Sequence, residues 1–238
     1  MTRTPVDLSI IVPFYNEVEN VDPVLNEIKR FHPEAELVAV DDCSSDGTDR
    51  VLAKQSDVRA FRLPRHLGQS AAVYRGLVEA NGTICVLMDG DGQSNPADIK
   101  VLLEKFPEYD FVNGNRVRRS DDLGKVLTSR IGNAIRNFFT RDGIHDTGGT
   151  PKAMKRECVS HLVPFNGMHR FIPALLKNAG FRILEVPVTH RERIHGHTKY
   201  TNVGRAFRGA FDLIGVSWLL RRRLPLRDLG VEIDRNDA

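Results

Sequence analysis

Cysteine is scarce in this chain of 238 residues, and its scarcity excludes two common ways of stabilising a small protein. The three cysteines, Cys43, Cys85 and Cys158, are odd in number, lie far apart and lack the spacing of metal ligands. A disulfide framework or a structural zinc site is therefore not expected. A chain of this length buries a core without such staples, and we expect a reducing, cytosolic setting.

Long apolar runs are also missing from the sequence. Residues 1–7 contain no stretch of signal-peptide length, and nothing later approaches the roughly 20 consecutive apolar residues of a membrane-spanning helix. The sequence therefore predicts a protein that is neither secreted nor integral to a membrane. Its 41% hydrophobic and 27% charged residues are those of an ordinary globular chain, which excludes a disordered or low-complexity protein.

The net charge of +3 is small, but the charges are unevenly distributed. Residues 1–110 carry 11 basic and 19 acidic side chains, a net charge of −8, whereas residues 111–238 carry 23 and 12, a net charge of +11. An acidic half can hold a cation and a basic half can bind phosphates, although scattered solvated charge is the alternative. A nucleic-acid partner is not expected, because the basic half lacks interleaved aromatic residues and the acidic half would repel phosphates.

Short β-branched runs alternate with amphipathic segments in the first half, which predicts an α/β fold with a mostly parallel sheet flanked by helices. The predicted strands are Leu8–Val12, Glu36–Val40, Val58–Arg62, Thr83–Met88 and Tyr109–Asn113. The predicted helices are Val21–Phe31, Thr48–Gln55, Ser70–Ala80 and Pro96–Phe106, the last with Asn95 as its N-cap. No linker or repeat divides the chain, so we expect a single domain over residues 1–238.

Polar residues follow the predicted strands, at the edge where an open parallel sheet binds its ligands. Asp41 and Asp42 follow the second strand, and Asp89, Asp91 and Gln93 follow the fourth. Two carboxylates and an amide oxygen form an all-oxygen site suited to Mg²⁺ or Mn²⁺, although an acidic turn that caps a helix is the alternative. No G-x-G-x-x-G or P-loop lysine motif follows any strand, which argues against dinucleotide oxidoreductases and P-loop NTPases.

The order of these motifs resembles family 2 glycosyltransferases of the GT-A (Rossmann-like) fold, and among them the dolichol-phosphate mannosyltransferase and polyprenyl-phosphate glycosyltransferase subgroup. The matching segments span nearly the whole chain: Pro13–Glu17, Asp41–Thr48, Arg65–Gly68, Asp89–Pro96, Gly114–Arg116, Asp146–Gly148, His169–Pro173, Glu185–Val188 and His190–Tyr200. The resemblance implies that the metal is held against the donor diphosphate by Asp89, Asp91 and Gln93. It implies that the nucleotide sugar is bound by Pro13, Tyr15, Glu17, Asp42 and Asp89. Departures from the family pattern at Gly92 and at Gly149–Pro151 leave the sugar open.

The resemblance also implies an inverting transfer of a sugar from a nucleotide diphosphate sugar, with uridine or guanosine as the base, to a polyprenyl phosphate. A lipid phosphate is already ionised near neutral pH, so the reaction requires no general base. The enzyme must instead supply a metal for the departing diphosphate and cations that bring two anionic substrates together. The candidate catalytic residues are Asp91 at the metal, and Arg116 and Arg130 at the acceptor phosphate; ordinary surface arginines are the alternative for the last two.

Basic residues also predict a lid over the donor site. Arg193 and Lys199 lie in a short stretch that follows the last strand of the sheet and precedes a long helix, Asn202–Arg223. A mobile loop at this position would close over the donor phosphates; a flexible linker is the alternative. We therefore divide the domain into a nucleotide-sugar and metal half (1–115), an acceptor half (116–200) and a basic amphipathic tail (201–238).

The tail has apolar residues at spacings of three and four, followed by three arginines. The residues concerned are Val203, Ala206, Phe207, Ala210, Phe211, Ile214 and Trp218, then Arg221–Arg223. This pattern is typical of an interfacial helix on an anionic membrane, although a helix packed on the core is the alternative. The segment Val126–Phe139 mixes apolar and basic residues and would form a second wall of a lipid-access groove. We expect peripheral contact with the cytoplasmic face of a membrane, and a membrane protein or a second copy of the chain as a further partner.

Two rival functions stay open. A family 2 transferase acting on a saccharide or protein hydroxyl would need a general base, and Asp146 is the best carboxylate for that role. A catalytically silent nucleotide-sugar binding protein is the second rival, and the intact Asp89-Gly90-Asp91 argues against it.

Overall fold

The computed structural model describes residues 7–106, 108–116, 134–191 and 202–224, except the side chains of 202–208 and 210. The strands are β1 (Leu8–Phe14), β2 (Glu36–Asp41), β3 (Arg59–Arg62), β4 (Ile84–Leu87), β5 (Phe111–Arg116), β6 (Lys152–Lys155) and β7 (Ile183–Val188). The helices are α1 (Val18–Phe31), α2 (Thr48–Leu52), α3 (Gln69–Glu79), α4 (Ile99–Leu103), α5 (134–140), α6 (Ile172–Asn178) and α7 (Asn202–Arg222).

The strands form one sheet in the order β3-β2-β1-β4-β6-β5-β7. The pairs among β1 to β4 are parallel, β6 runs antiparallel to both β4 and β5, and β5 is parallel to β7. The carboxyl ends of β1, β2, β4 and β5 therefore meet the amino end of β6 at one edge of the sheet. The mostly parallel α/β sheet predicted from the sequence is confirmed.

Helices cover both faces of the sheet, and the alternation of side chains along β1 shows how the core is divided. Ile10 and Val12 pack on one side with residues of α1 and α4, whereas Ile11 packs on the other side with residues of α3 and α6. All three side chains are completely buried. Burial on both faces explains why this strand is continuously apolar rather than alternating.

The main difference from the predicted elements is β6, a four-residue strand that the sequence pattern did not indicate. The predicted helix Pro96–Phe106 is also shorter and begins with a 3₁₀ turn at Pro96–Asp98 before α4. Its predicted N-cap is confirmed, because Asn95 Oδ1 accepts a hydrogen bond from the Ala97 amide at 3.1 Å. The remaining predicted elements are present, with their ends shifted by a few residues.

Helix α7 packs on the body of the protein through one face and presents apolar side chains on the other. On the inner face Val216 is buried and Asp212 accepts a hydrogen bond from Arg170 at 2.9 Å. On the outer face Phe211, Ile214 and Trp218 are 80%, 69% and 64% exposed. The alternative interpretation, in which these three side chains pack on the core, is therefore wrong. Among the described helices, none is long and apolar enough to cross a bilayer.

The arginines at the end of α7 are not equivalent. Arg221 and Arg222 are exposed, whereas Arg223 is half-buried. The Arg223 guanidinium donates to the carbonyl oxygens of His161 at 2.5 Å and Leu175 at 3.4 Å. Arg223, which directly follows α7, is therefore bonded to the protein and departs from the expectation that all three arginines lie near lipid phosphates.

The segment Val126–Phe139 is described only from residue 134, so Ile131 lies outside the described residues. On α5 the side chains of Ile135, Phe138 and Phe139 are exposed, as a surface wall requires. Arg136 is buried instead, and its Nη1 lies 2.5 Å from Asp142 Oδ2.

Candidate active site

A cavity of about 410 Å³ lies at the carboxyl edge of the sheet. It brings together eight of the eleven residues predicted from the sequence: Pro13, Tyr15, Glu17, Asp42, Asp89, Asp91, Gln93 and Arg116. The other three, Arg130, Arg193 and Lys199, lie outside the described residues. A wider hollow of about 640 Å³ runs along β7 and α6, but it contains none of these eight residues. The carboxyl-edge cavity is therefore the candidate site.

Asp89 and Asp91 follow the buried strand β4 and face the cavity. Asp89 accepts hydrogen bonds from Gln69 Nε2 at 3.0 Å and from Thr150 Oγ1 at 2.8 Å. Burial raises the pKa of Asp89, and the negative charge of Asp91 raises it further. A cation bound between two neighbouring carboxylates offsets the repulsion between their charges, so this pair fits a divalent metal.

Gln93 completes the acidic loop at the rim of the cavity. Its backbone amide donates to Asp91 Oδ1 at 3.1 Å, and its side-chain nitrogen donates to the Arg191 carbonyl at 3.4 Å. Within the described residues, no three His, Cys, Asp or Glu side chains converge as metal ligands. A hard cation here would therefore take two carboxylates from the chain, with an amide oxygen, water and substrate phosphates as its further ligands.

Gly90 allows the acidic loop to lie directly against the end of β1. A Cβ atom at this position would meet Phe14 Cδ1 at 2.6 Å and the Pro13 carbonyl oxygen at 2.7 Å. We expect Gly90→Ala to displace the loop and to lower the free energy of unfolding by about 1–3 kcal/mol, as overpacking does. Urea unfolding of the purified variant measures this change.

Gly215→Ala is the matched control for Gly90→Ala, because a Cβ atom at Gly215 on α7 would meet nothing within 4 Å. This substitution should leave stability unchanged or raise it by up to about 1 kcal/mol, since alanine favours helices. An unfolding free energy for Gly90→Ala equal to that of the wild type would show that the loop tolerates a side chain.

The loops that follow β1 and β2 are joined by hydrogen bonds. Asn16, which has a φ of +51°, receives a hydrogen bond on Oδ1 from the Ser45 amide and donates its own amide to Ser44 Oγ, both at 2.8 Å. The Glu17 amide donates to Thr48 Oγ1 at 3.0 Å. These bonds hold the β1–α1 loop, and with it Tyr15 and Glu17, at the cavity wall.

Tyr15 and His66 form a stacked aromatic pair at the cavity, with ring centroids 4.0 Å apart. Asp42 is buried below them, and His66 Nδ1 lies 2.8 Å from Asp42 Oδ2. The amides of Leu67 and Gly68 donate to the two Asp42 carboxylate oxygens, each at 2.8 Å. Asp42 thus lies in the cavity wall, and it also anchors the 66–68 loop, a contact that the sequence pattern did not indicate.

Arg116 lies across the cavity at the end of β5 and forms a bidentate ion pair with Asp146. Its Nε lies 2.6 Å from Oδ2, and its Nη2 lies 2.8 Å from Oδ1. Burial alone would lower the pKa of Arg116, but the hydrogen bonds and charge of Asp146 outweigh it and raise the pKa. The guanidinium therefore stays positively charged at the cavity wall.

Glu185 of β7 orients the turn that carries Asp146. Its carboxylate accepts hydrogen bonds from the amides of His145 at 3.0 Å and Asp146 at 2.9 Å, and from Asn115 Nδ2 at 3.2 Å. Glu185 thus links β5, β7 and the 145–146 turn beneath Arg116. Glu185 belongs to the motif 185–188, but the sequence does not show these hydrogen bonds, because they form only where β5 and β7 are neighbours.

Other cavity residues were not identified from the sequence. Gln69, Thr150, Lys152, His169 and Arg170 all line the cavity. His169 Nδ1 lies 2.7 Å from Ser70 Oγ, which also accepts the Gly167 amide at 2.9 Å. The only signal for these residues is that several belong to the motifs at 146–148 and 169–173 or lie next to them.

Comparison with known proteins identifies the family. Residues 9–163 match the model of Glycosyl transferase family 2. The chain is 32% identical to dodecaprenyl-phosphate galacturonate synthase of Rhizobium johnstonii, over 92% of this chain and 70% of that protein. It is 30% and 31% identical to undecaprenyl-phosphate 4-deoxy-4-formamido-L-arabinose transferases of Photorhabdus laumondii and Pseudomonas aeruginosa, over 82% and 90% of this chain. The chain spans only 63% and 66% of the length of these two relatives.

Solved structures share the fold. Glucosyl-3-phosphoglycerate synthase from Mycobacterium tuberculosis, crystallised with Mn²⁺, uridine diphosphate and glucosyl-3-phosphoglycerate, has a TM-score of 0.67 at 18% identity, over 92% of this chain and 81% of that one. Mannosyl-3-phosphoglycerate synthase from Rubrobacter xylanophilus has a TM-score of 0.64 at 18% identity, over 98% and 78%. The chain belongs to glycosyl transferase family 2 and has the GT-A fold that the order of its motifs predicts.

Proposed function

We propose that this protein transfers a sugar, with inversion, from a nucleotide diphosphate sugar to a polyprenyl phosphate. The observation that carries the proposal is the placement of the acidic pair Asp89 and Asp91 and the cationic Arg116 around one cavity. An acidic pair suits the metal-bound diphosphate of a donor, and a fixed guanidinium suits a phosphate acceptor. The relatives named for sugar transfer to dodecaprenyl and undecaprenyl phosphate support the same acceptor class.

The state of Asp146 favours a phosphate acceptor over a hydroxyl acceptor. A hydroxyl nucleophile needs a general base, and Asp146 was the best carboxylate for that role. Both Asp146 carboxylate oxygens accept hydrogen bonds from Arg116, so this carboxylate is engaged in an ion pair with a cation of the cavity wall. A phosphate acceptor needs no such base, so the ion pair is compatible with the proposed reaction.

Asp89 and Asp91 would hold Mg²⁺ or Mn²⁺, with Gln93 beside them. When bound, the metal neutralises charge on the departing nucleoside diphosphate. The raised pKa of Asp89 supports this assignment, because a cation removes the repulsion between the two carboxylates. Crystals of the structurally similar glucosyl-3-phosphoglycerate synthase contain Mn²⁺ or Mg²⁺. This likeness supports a divalent metal but does not favour one of the two ions.

The remaining residues bind and orient the two substrates. Tyr15 and Glu17 line the nucleoside end of the cavity, and Arg116 holds the acceptor phosphate with one oxygen aimed at the anomeric carbon. That oxygen forms a new bond to the anomeric carbon while the bond to the donor diphosphate breaks. The products are a polyprenyl phosphosugar and a nucleoside diphosphate, and no proton transfer is required.

We also propose that the three parts of the chain form one domain attached peripherally to the cytoplasmic face of a membrane. The single sheet supports one domain, because β6 of the acceptor half lies between β4 and β5, the last two strands of the nucleotide half. The outward apolar side chains of α7 support membrane contact, since a polyprenyl phosphate is anchored in the bilayer.

The proposed function is tested by incubating the purified protein with Mg²⁺, a short polyprenyl phosphate and a panel of UDP- and GDP-sugars that includes UDP-galacturonate. We expect mass spectrometry to detect a lipid that carries one phosphate and one sugar, with one preferred donor. Saccharide acceptors under the same conditions should stay unmodified. Transfer to a saccharide, or no lipid product with any donor, would overturn the proposal.

A further inference from the structure

Lys152 is a buried cation in the wall of the cavity that the proposed reaction has not yet used. The residue is 3% exposed and stands at the amino end of β6. Its ammonium donates to the carbonyl oxygens of Thr147 at 2.8 Å and His169 at 3.4 Å. No carboxylate of the described residues lies within ion-pair distance of this ammonium.

A lysine with these partners is costly to bury. Lysine is almost never fully buried unless it is paired with an acid, because the ammonium loses its hydration. Burial lowers the pKa of Lys152 to about 8, although the charges of Asp89 and Asp146 act to raise it. The side chain therefore remains mostly protonated near pH 7, and a neutral donor would satisfy the same two carbonyls without this penalty.

The position of β6 places Lys152 between the two sides of the cavity. Its partner on β4 is Leu87, two residues before Asp89, and its partner on β5 is Asn113, three residues before Arg116. The lysine thus stands between the strand that carries the acidic pair and the strand that carries the proposed acceptor-binding arginine. An anionic group lying between these two sides would meet its ammonium.

We propose that Lys152 binds a phosphoryl oxygen of the substrates in the cavity, as a second cation of the chain beside Arg116. The inference rests on the proposed function, in which one substrate brings a diphosphate and the other a phosphate monoester. The diphosphate and the phosphate monoester each offer a phosphoryl oxygen to the ammonium. A charge-assisted hydrogen bond to either stabilises the bound anion and offsets the cost of burying the ammonium.

A purely structural role is the competing explanation. The Lys152 ammonium links the 146–150 loop to the residues before α6, and such a link needs only a hydrogen-bond donor. Lys152→Gln keeps an N–H donor and removes the charge, whereas Lys152→Met removes both. The two variants therefore separate anion binding from loop bracing. Lys155→Met is the matched control, because Lys155 lies on the same strand but pairs with Asp110 outside the cavity.

The experiment measures kcat/KM for sugar transfer, the KM of a short polyprenyl phosphate, the Kd of UDP and GDP with Mg²⁺ by calorimetry, and thermal unfolding. We expect Lys152→Met and Lys152→Gln to lose about tenfold to a hundredfold in kcat/KM, the range of one charged hydrogen bond. Lys152→Gln should unfold at or above the wild-type temperature, whereas Lys152→Met, which removes the donor to the Thr147 carbonyl, should unfold below it. A weaker nucleotide Kd identifies the donor diphosphate as the ligand, whereas a raised acceptor KM with unchanged Kd identifies the lipid phosphate.

Three results would overturn the proposal. Wild-type kinetics and wild-type nucleotide affinity in Lys152→Gln would show that Lys152 only braces the loop. Failure of both variants to fold would show the same structural role. If both variants were as active as Lys155→Met, Lys152 would have no role in the reaction. If the wild type transfers no sugar to a lipid phosphate, the proposed function fails, while calorimetry with UDP, with GDP and with the short polyprenyl phosphate still tests whether Lys152 binds an anion.

Discussion

Asp91→Asn is expected to abolish sugar transfer, with kcat/KM lowered by roughly 10³-fold or more. Asparagine has nearly the same shape as aspartate, so the substitution removes one negative charge while the loop after β4 keeps its path. The remaining carboxylate, Asp89, is held by Gln69 and Thr150 and would hold a divalent metal alone. Transfer to a short polyprenyl phosphate, measured across a range of Mg²⁺ concentrations, checks this result.

Asp57→Asn is the matched control for Asp91→Asn, because Asp57 is an exposed carboxylate paired with Lys29 and lies outside the cavity. It should retain wild-type transfer. Calorimetry of UDP and GDP adds a second readout, since loss of the metal site should weaken nucleotide binding only when Mg²⁺ is present. A rate for Asp91→Asn near that of the wild type, with the same dependence on Mg²⁺, would remove Asp91 from the metal site.

Much of the candidate site could be predicted because a parallel sheet places its loops by rule. Each βα unit returns the chain to the same edge, so the residues after β1, β2 and β4 must meet there whatever the details of the helices. Asp42, Asp89 and Tyr15 follow three such strands and all line one cavity. The sequence pattern is sufficient for this because apolar strands and polar loops alternate at regular spacing.

Lys152 could not be predicted in the same way. It lies on β6, which pairs antiparallel with β4 and β5 and so departs from the repeating βα pattern. The strand has only four residues, with a lysine at each end, and shows no apolar run. A buried lysine in such a segment looks like an exposed one until the partners of the strand are known.

The partners of Asp42 were missed for a related reason. Its carboxylate accepts the amides of Leu67 and Gly68, which lie some 25 residues further along the chain. Backbone donors have no sequence signature, so a carboxylate that anchors a loop cannot be distinguished from one that awaits a ligand. Only the closeness of the two loops in the folded sheet shows that Asp42 also positions His66.

The second large effect is expected on membrane attachment when the outward side chains of α7 are made polar. Replacing Phe211, Ile214 and Trp218 together with Gln keeps good helix formers on an exposed face and removes three large apolar groups. Each such side chain contributes about 1.5–3 kcal/mol when fully buried in an apolar phase. We therefore expect binding to anionic phospholipid vesicles to fall by about a hundredfold or more, with nucleotide affinity unchanged. Vesicle co-sedimentation measures the loss.

The arginines after this stripe separate membrane contact from folding. Replacing Arg221 and Arg222 with Gln should weaken vesicle binding by about thirtyfold at low salt and less at high salt, because each basic residue contributes about 1 kcal/mol near an anionic surface. Arg223→Gln should leave vesicle binding unchanged and lower the unfolding temperature, since its guanidinium is bonded to the carbonyls of His161 and Leu175. If the apolar variant sediments with vesicles as the wild type does, α7 does not contact the membrane. A loss of vesicle binding in Arg223→Gln alone would show that attachment depends on how α7 packs on the protein rather than on the outward side chains.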